Sequence, residues 1–284
     1  MYHWLTHHYQ PETAVNDKPR KDSRVATRRS DRLGIASRIP ALRLLGAAAL
    51  VAGVTATASA QGSGNGFLFE QPAGSLTLSG GYAHASAGSD IFSFTTNQLS
   101  VDKSDFSGLT LGADLAIRVA PRFDIVLGTS YAGTSTPSSY RSLVDQNNQE
   151  IRQTTDFRRV PVMASVKAYL TDRGRTVGRF AWVPSRFAPY VGVGGGAVWY
   201  KFRQHGDFVD ANDNSVFTAD LNSSNWAPAA QGLAGLDFTL TPHLALTGEA
   251  KYIWAHGKLS DSFSGFDNID LSGLSTTIGL TFRY

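Results

Sequence analysis

Apolar and polar residues alternate along most of the chain after residue 66. In the stretch "GLTLGADLAIRVA", Leu109, Leu111 and Leu115 fall in phase, with polar or small residues between them. Such a period of two predicts β-strands, because successive side chains of a strand point to opposite faces. Eight such segments occur, each of about ten residues, the length of a tilted transmembrane strand. They begin near Ser75, Phe106, Phe123, Asp156, Pro189, Pro228, Leu244 and Leu271.

The connections between these segments alternate between short and long. Tight turns at Pro121 and Pro242 join segments two to three and six to seven. Four long polar connections separate the other pairs, at 85–105, 134–155, 203–225 and 256–270. This alternation is typical of outer-membrane barrels, which have short periplasmic turns and longer external loops. The link at 171–187 is the exception, because it is long where a short turn is expected.

We therefore predict an all-β fold, an eight-stranded antiparallel up-and-down transmembrane β-barrel. A soluble barrel or sandwich is the alternative, and it would carry many Lys and Glu residues on its outer face. Here the polar face is mostly Gly, Ser, Thr and Ala, and aromatic residues cluster at the strand ends, as at membrane interfaces. Only the fifth segment, "PYVGVGGGAVWYKF", has large residues on both faces, so its orientation is left open.

The first sixty residues differ from the rest in composition. Residues 1–39 are polar and basic, and the apolar run that follows ends in Ala58-Ser59-Ala60. This order predicts a secretory signal peptide that is cleaved after Ala60. A membrane anchor is the alternative, although the run is rich in Ala and Gly and barely long enough to span a bilayer. We therefore predict two parts, a basic leader with a signal peptide at 1–60 and a barrel domain at 61–284.

Removal of the leader changes the charge of the chain. The whole sequence has 26 basic and 23 acidic residues, and nine of the basic and four of the acidic residues lie in 1–60. The remaining 17 basic and 19 acidic residues have a net charge of −2. Such a balance gives no indication of nucleic-acid binding. The absence of Cys excludes disulfides.

Charged residues also stand on the faces opposite the apolar ones. If the apolar faces contact lipid, these charges face the lumen, which in an eight-stranded barrel has room only for its own side chains. Buried charges need partners, so we predict a lumen that is filled by ion pairs, with a conducting lumen as the alternative. The predicted lumen charge network has five basic and four acidic members: Asp114, Arg118, Asp124, Arg159, Lys167, Asp237, Glu249, Lys251 and Arg283.

Two short motifs suggest cofactor or metal binding at first sight. "GVGGGA" at 192–197 has the spacing G-x-G-x-x-A, but a strand follows it instead of a helix, so we expect its glycines to allow close packing. "DANDNS" at 210–215 begins like a calcium loop, but Ser215 and Leu221 stand where Gly and Glu are required. We predict no cofactor and no metal.

Two groups in the outer loops resemble parts of a hydrolase triad. Such a triad needs a base to deprotonate Ser and an acid to orient the base. The groups are His84, Ser86 and Asp90 after the first segment, and His256, Ser260 and Asp261 after the seventh. Loops rich in Ser and Asp contain such groups by chance, so a lipid-modifying hydrolase is only a third hypothesis and no catalytic residue is predicted.

The last strand resembles a known signal. Thr277, Gly279, Phe282 and Tyr284 are spaced like the C-terminal signal of bacterial outer-membrane proteins, although the usual final residue is Phe. "PYVGVGGGAVWY" and "LALTGEAKYIW" are similar to strands of the small OmpA/OmpW-type outer-membrane barrels. The resemblance implies a Gram-negative outer membrane, contact with its lipids and lipopolysaccharide, and recognition of the last strand by the outer-membrane assembly machinery.

These observations predict a monomer with a structural or surface-interaction role through its external loops. A narrow channel for small or hydrophobic solutes is the alternative. Aromatic residues in the loops could act as binding anchors, but we expect them to pack on the barrel rim or to touch lipopolysaccharide. They are Phe92, Phe94, Phe208, Phe217, Phe263 and Phe266.

Overall fold

The computed structural model describes residues 66–179, 181–210 and 215–284, so the predicted signal peptide and its cleavage site after Ala60 lie outside the described residues. Within them, eight long strands form one antiparallel barrel. They are β1 (Gly74–Ala85), β2 (Gly108–Ala120), β3 (Phe123–Val144), β4 (Glu150–Tyr169), β7 (Phe187–Val209), β8 (Val216–Thr241), β9 (Leu244–Gly257) and β11 (Gly273–Arg283). Shorter elements are β5 (Gly174–Val177), β6 (Ala181–Pro184), β10 (Ile269–Asp270), the helix α1 (Asp90–Gln98), and 3₁₀ turns at Lys103–Phe106 and Asp261–Phe263.

The barrel closes between its first and last strands. Each strand pairs with antiparallel neighbours in the order β1-β2-β3-β4-β7-β8-β9-β11, and β11 pairs with β1 along its whole length. Gly74 and Tyr284 exchange two backbone hydrogen bonds of 3.0 Å. The final residue is therefore held in the sheet, and closure leaves no open edge within the ring. The predicted eight-stranded barrel is confirmed.

The apolar faces of the strands point outward. Leu109 has 79% of its surface exposed, Val193 has 69% and Trp226 has 55%. Exposure of this kind around a whole barrel is unfavourable in water and favourable in lipid. Aromatic side chains are exposed at both ends of this apolar belt, as at membrane interfaces. They are Tyr82, Tyr131, Trp226 and Trp254 at the outer end, and Phe123, Phe187, Phe282 and Tyr284 at the other. The barrel is that of an outer-membrane protein.

The fifth predicted segment lies in β7, and the structure shows which of its faces points toward lipid. Val191 and Val193 face lipid, whereas Tyr190 and Tyr200 are buried inside the barrel. The glycines of the "GVGGGA" motif fit this packing. A Cβ atom on Gly196 would lie 2.1 Å from the backbone oxygen of Val162, so the inner face there has no room for a side chain. A strand continues through the motif, as expected.

Two of the predicted loops are mostly strand, which corrects the sequence-based boundaries. β3 and β4 extend to residues 144 and 150, and β7 and β8 extend to residues 209 and 216. These hairpins project beyond the aromatic ring at the outer end. Their inward side chains mix polar and apolar residues: Gln153, Thr155 and Gln204 are buried on the same faces as Phe157 and Phe202. Buried and exposed side chains therefore alternate along these extensions, but apolar and polar ones do not. For this reason the hydrophobic pattern did not predict strands there.

The remaining outer segments fold inward and form a cap inside the projecting strands. Phe92 of α1 packs against Phe106, Phe157 and Phe202, with ring centroids 4.7, 5.3 and 5.7 Å away. Gln204 of β7 also donates a hydrogen bond to Thr95 of α1. Of the loop aromatics, Phe92, Phe208 and Phe263 are buried, and Phe94 and Phe217 stay exposed.

At the opposite end, the long link at 171–187 forms the hairpin β5–β6. Trp182 of β6 is buried and exchanges backbone hydrogen bonds of 2.7 and 2.8 Å with Leu68. The long inner link is therefore a folded element held against the segment that precedes β1. Among the described helices, none is long and apolar enough to cross a membrane.

Candidate functional site

The middle of the lumen holds a continuous chain of charged side chains. Lys251 Nζ lies 2.9 and 3.0 Å from the two carboxylate oxygens of Asp114 and 2.9 Å from Oε1 of Glu249. Glu249 Oε2 lies 3.3 Å from Lys167 Nζ and accepts a hydrogen bond of 2.8 Å from the Tyr190 hydroxyl. The Lys167 ammonium also lies 3.9 Å from the centre of the Tyr190 ring. Four predicted charges from β2, β4 and β9 therefore meet in one network.

A second group of charges lies nearer the inner end. Asp237 Oδ2 accepts a hydrogen bond of 3.0 Å from the Tyr169 hydroxyl and lies 3.8 Å from Nη2 of Arg283. The other oxygen of Asp237 accepts a hydrogen bond of 2.8 Å from Thr247. One cation and two hydroxyl donors thus surround this buried carboxylate.

Arg173 is a member of this group that the predicted lumen charge network did not include. It lies between β4 and β5, in the long link at 171–187. Its Nη1 atom lies 2.8 Å from Oδ2 of Asp124, and its guanidinium stacks over the ring of Tyr169 at 4.4 Å. Its Nε atom donates a hydrogen bond of 3.3 Å to the carbonyl of Pro121. No pattern in the sequence indicated that this arginine turns back into the barrel.

The two remaining predicted lumen charges differ from the others. Arg159 is buried under the cap, and its Nη1 atom donates hydrogen bonds of 3.0 and 3.2 Å to the carbonyl oxygens of Leu271 and Ser272. Arg118 forms no ion pair within 4 Å in the described part of the chain, although its backbone lies opposite Asp124 in the β2–β3 register. A charged partner was expected for every lumen charge, but neither arginine forms an ion pair within the described residues. The Arg159 guanidinium lies 5.2 Å from the centre of the Phe157 ring.

Two small cavities lie beside the lumen charges. A cavity of about 30 Å³ lies beside Asp114 and Lys251, and one of about 20 Å³ lies beside Asp124, Arg173 and Asp237. A buried water needs roughly 10–15 Å³ on this measure. Each cavity therefore has room for about one to three water molecules between groups of packed side chains.

The two hydrolase-like groups are held by other contacts. The Ser86 hydroxyl lies 3.3 Å from that of Tyr252, and Nδ1 of His84 lies 3.2 Å from the hydroxyl of Ser107. The Ser260 hydroxyl donates a hydrogen bond of 2.8 Å to the carbonyl of Asn222. In neither group does a serine contact the histidine that the sequence places near it.

No group of three or more His, Asp or Glu residues that could hold a metal ion occurs within residues 66–179, 181–210 and 215–284. The loop-like "DANDNS" segment lies partly outside the described residues, because residues 211–214 are not among them.

The hairpin β7–β8 carries an ion pair outside the membrane-spanning belt. Nε and Nη2 of Arg203 donate hydrogen bonds of 2.7 and 2.6 Å to the two carboxylate oxygens of Asp220. These bonds favour the charged carboxylate and lower the pKa of Asp220 below its ordinary value. Such a pair joins the two strands of the hairpin beyond the lipid-facing belt.

The predicted assembly signal lies in β11. Phe282 and Tyr284 point outward at the inner aromatic ring, and the Thr277 hydroxyl points to the backbone carbonyl of Glu249 at 3.5 Å. A Cβ atom on Gly279 would lie 2.6 Å from the backbone oxygen of Leu78, so this position has space only for glycine. The role of these residues as a recognition signal stays a prediction.

Comparison with known proteins gives structural but no sequence-level relatives. No protein-family model matches the chain, and no curated protein matches it. Neisserial surface protein A is 14% identical, with 76% of this chain and 99% of that chain covered and a TM-score of 0.40. The attachment invasion locus protein Ail of Yersinia pestis is 15% identical (74% and 99% covered, TM-score 0.35), and outer membrane protein W of E. coli is 14% identical (76% and 100% covered, TM-score 0.35). These solved structures are small outer-membrane proteins, the class that the sequence resemblance predicted.

Proposed function

We propose that the protein is a closed, non-enzymatic outer-membrane barrel with a structural or surface-interaction role through its external hairpins. The observation that supports this proposal is the Asp114–Lys251–Glu249–Lys167 network inside the barrel, with cavities of only about 20 and 30 Å³ beside the lumen charges. We expect a solute larger than water to pass these groups only if the network separates.

Two barriers oppose such an opening. Removing one partner of a buried ion pair costs about 3–5 kcal/mol, and a path would have to separate Lys251 from two carboxylates. The cap above the network would also have to move, and exposure of a buried Phe such as Phe92 or Phe157 costs about 1.5–3 kcal/mol for each side chain. The two barriers lie in series, which favours a closed lumen over the alternative of a narrow channel.

The external hairpins supply the surface for contacts. β7–β8 is held by continuous backbone pairing as far as Val209 and Val216, whereas the pairing of β3–β4 is interrupted between Ser139 and Val144. The end of β7–β8 is therefore presented on the more regular support. Leu143 and Val144 are exposed at the end of the first hairpin, and Phe217 is exposed beside Phe208 at the end of the second. Apolar side chains on a rigid polar support are typical contact anchors. We also propose that the protein is a monomer, because the closed ring leaves no strand edge within the membrane.

Planar-bilayer conductance tests the closed lumen. The protein purified from membranes should give no steady channels, and Lys251→Ala should remain silent while it loses stability. Lys103→Ala, which removes an exposed cation outside the lumen, is the matched control and should change neither property. Steady channels of uniform size from the unmodified protein, altered by Lys251→Ala, would contradict the proposal and favour the channel.

Release of fatty acids from phospholipid or lipopolysaccharide tests the hydrolase hypothesis. The purified protein should release no more than the protein-free sample does. Activity that disappears in Ser86→Ala or in Ser260→Ala would overturn the non-enzymatic proposal. This measurement is independent of conductance, so the two parts of the proposal can fail separately.

A further inference from the structure

Two cations face each other across neighbouring strands on the outside of the barrel. Arg158 of β4 lies directly opposite Lys201 of β7. Phe157, Tyr200 and Phe202 are buried inside, so the alternating residues Arg158 and Lys201 point outward. Side chains in such a pair have Cβ atoms about 4.5–5.5 Å apart, and like charges at this distance destabilise the sheet.

No acidic group of the described residues forms an ion pair with Arg158 or Lys201 within 4 Å. Asp220 acts on Lys201 electrostatically from a greater distance, but its two carboxylate oxygens are bound by Arg203. We call each pair of facing residues on the outside of neighbouring strands a rung. On the next rung toward the outer end the charges are opposite, because Asp156 lies 4.0 Å from Arg203, and Arg203 also binds Asp220. The acidic groups of this surface are thus already engaged by Arg203, and the innermost rung stays cationic.

The cationic rung also lies at a defined depth. The rung below it consists of Val160 and Trp199, and Trp199 lies opposite Trp226, which belongs to the outer aromatic ring. One rung is two residues, or about 7 Å along a strand, and about 5 Å along the membrane normal at the usual tilt. This places Arg158 and Lys201 in the headgroup layer, just outside the hydrocarbon core.

Hydroxyl groups continue the rung on both sides. Gly133 of β3 lies opposite Arg158. A Cβ atom on Gly133 would lie 2.8 Å from the Tyr131 hydroxyl and 3.3 Å from Cγ of Arg158, so this hydroxyl and the Arg158 side chain are close neighbours over the glycine. On the other side Lys201 lies opposite the exposed Ser224 of β8. The rung is therefore a row of hydrogen-bond donors with two positive charges at its centre.

We propose that this rung, Tyr131-Arg158-Lys201-Ser224, binds a phosphate group on a glycolipid of the outer leaflet. An Arg guanidinium and a Lys ammonium both favour phosphate oxygens, and the phosphate neutralises two charges that otherwise repel. The inference rests on the outer-membrane placement of the proposed function and is independent of the closed lumen. A failure of this site and a conducting lumen are therefore distinguishable results.

Native mass spectrometry of the membrane-extracted protein in a neutral detergent tests the site. The probes are bisphosphorylated lipid A, the same lipid after removal of both phosphates, and phosphatidylglycerol. Bisphosphorylated lipid A should bind most tightly. Because one cation near a lipid surface contributes about a five-fold factor in affinity, Arg158→Gln or Lys201→Gln should weaken binding about 5-fold, and the double variant about 30-fold.

The matched control is Arg175→Gln with Arg179→Gln, which removes the same charge from the exposed hairpin at the inner end. It should leave the affinity for lipid A unchanged, and all variants should keep the heat-modifiable gel mobility of a folded barrel. Equal binding by the double variant and the unmodified protein would overturn the proposal, as would an equal loss in the control. Binding of lipid A that does not depend on its phosphates, or equally tight binding of phosphatidylglycerol, would also overturn it.

Discussion

Lys251 is the cation with most contacts to carboxylates in the lumen network, so Lys251→Met provides a direct test of it. The substitution removes the ammonium group and keeps most of the side-chain length. Glu249 retains Lys167 at 3.3 Å and the Tyr190 hydroxyl at 2.8 Å. Asp114 loses the cation that contacts both of its oxygens at 2.9 and 3.0 Å. The main consequence is therefore one uncompensated carboxylate inside the barrel.

The magnitude follows from the burial of this pair. The Lys251 and Asp114 side chains are 20% and 11% exposed. Loss of one partner of a buried pair costs about 3–5 kcal/mol. We expect about 3 kcal/mol, the lower end, because the cavity of about 30 Å³ beside the pair can supply a water to Asp114. Adding Asp114→Asn removes the unpaired charge, so the double variant should regain about 2 kcal/mol.

The assay is reversible urea unfolding of the barrel in lipid vesicles, followed by tryptophan fluorescence, with free energies taken from the midpoints at a common slope. A loss below about 1 kcal/mol for Lys251→Met would refute the reasoning, because the pair would then behave like a solvent-exposed one. A double variant no more stable than Lys251→Met would show that Asp114 is not the source of the loss.

Three further predictions concern other parts of the barrel. Gly196→Ala should destabilise the barrel by about 1–3 kcal/mol in the same assay, because the new Cβ would lie 2.1 Å from a backbone oxygen. Gly195→Ala is the matched control and should be tolerated, because the nearest neighbour of its Cβ would be 3.7 Å away. Tyr284→Ala should slow assembly by purified assembly machinery several-fold, measured as the heat-modifiable fraction over time, and Tyr284→Phe should match or exceed the natural rate; an unchanged rate for the alanine variant would argue against a signal at this residue. Because Arg203 lowers the pKa of Asp220, this pair should stabilise the outer hairpin above about pH 4 and lose that contribution as the pH falls through the lowered pKa, and an NMR titration midpoint at or above the ordinary value of about 3.9 would contradict this.

The barrel itself was predictable because a membrane imposes a simple local rule on every strand. Residues such as Leu109, Leu111 and Ile117 must face lipid, so alternation alone identifies a strand and its phase. The structure shows that β11 pairs with β1 along its whole length and so closes the ring. The alternation rule did not predict the projecting hairpins, because outside lipid some of their inward residues, such as Gln153 and Gln204, are polar.

Outside the fifth segment, the sequence by itself indicated which residues face the lumen, and with them most of the charges that the structure brings together there. Only the tertiary structure decided which charges pair. Arg118 lies opposite Asp124 in the strand register, yet the partner of Asp124 is Arg173, 49 residues away along the chain. Arg173 also stacks on Tyr169 and donates to the carbonyl of Pro121, so three contacts position it. Strand phase is a local property of the chain, whereas the choice of a buried partner depends on every group that the closed barrel brings within reach.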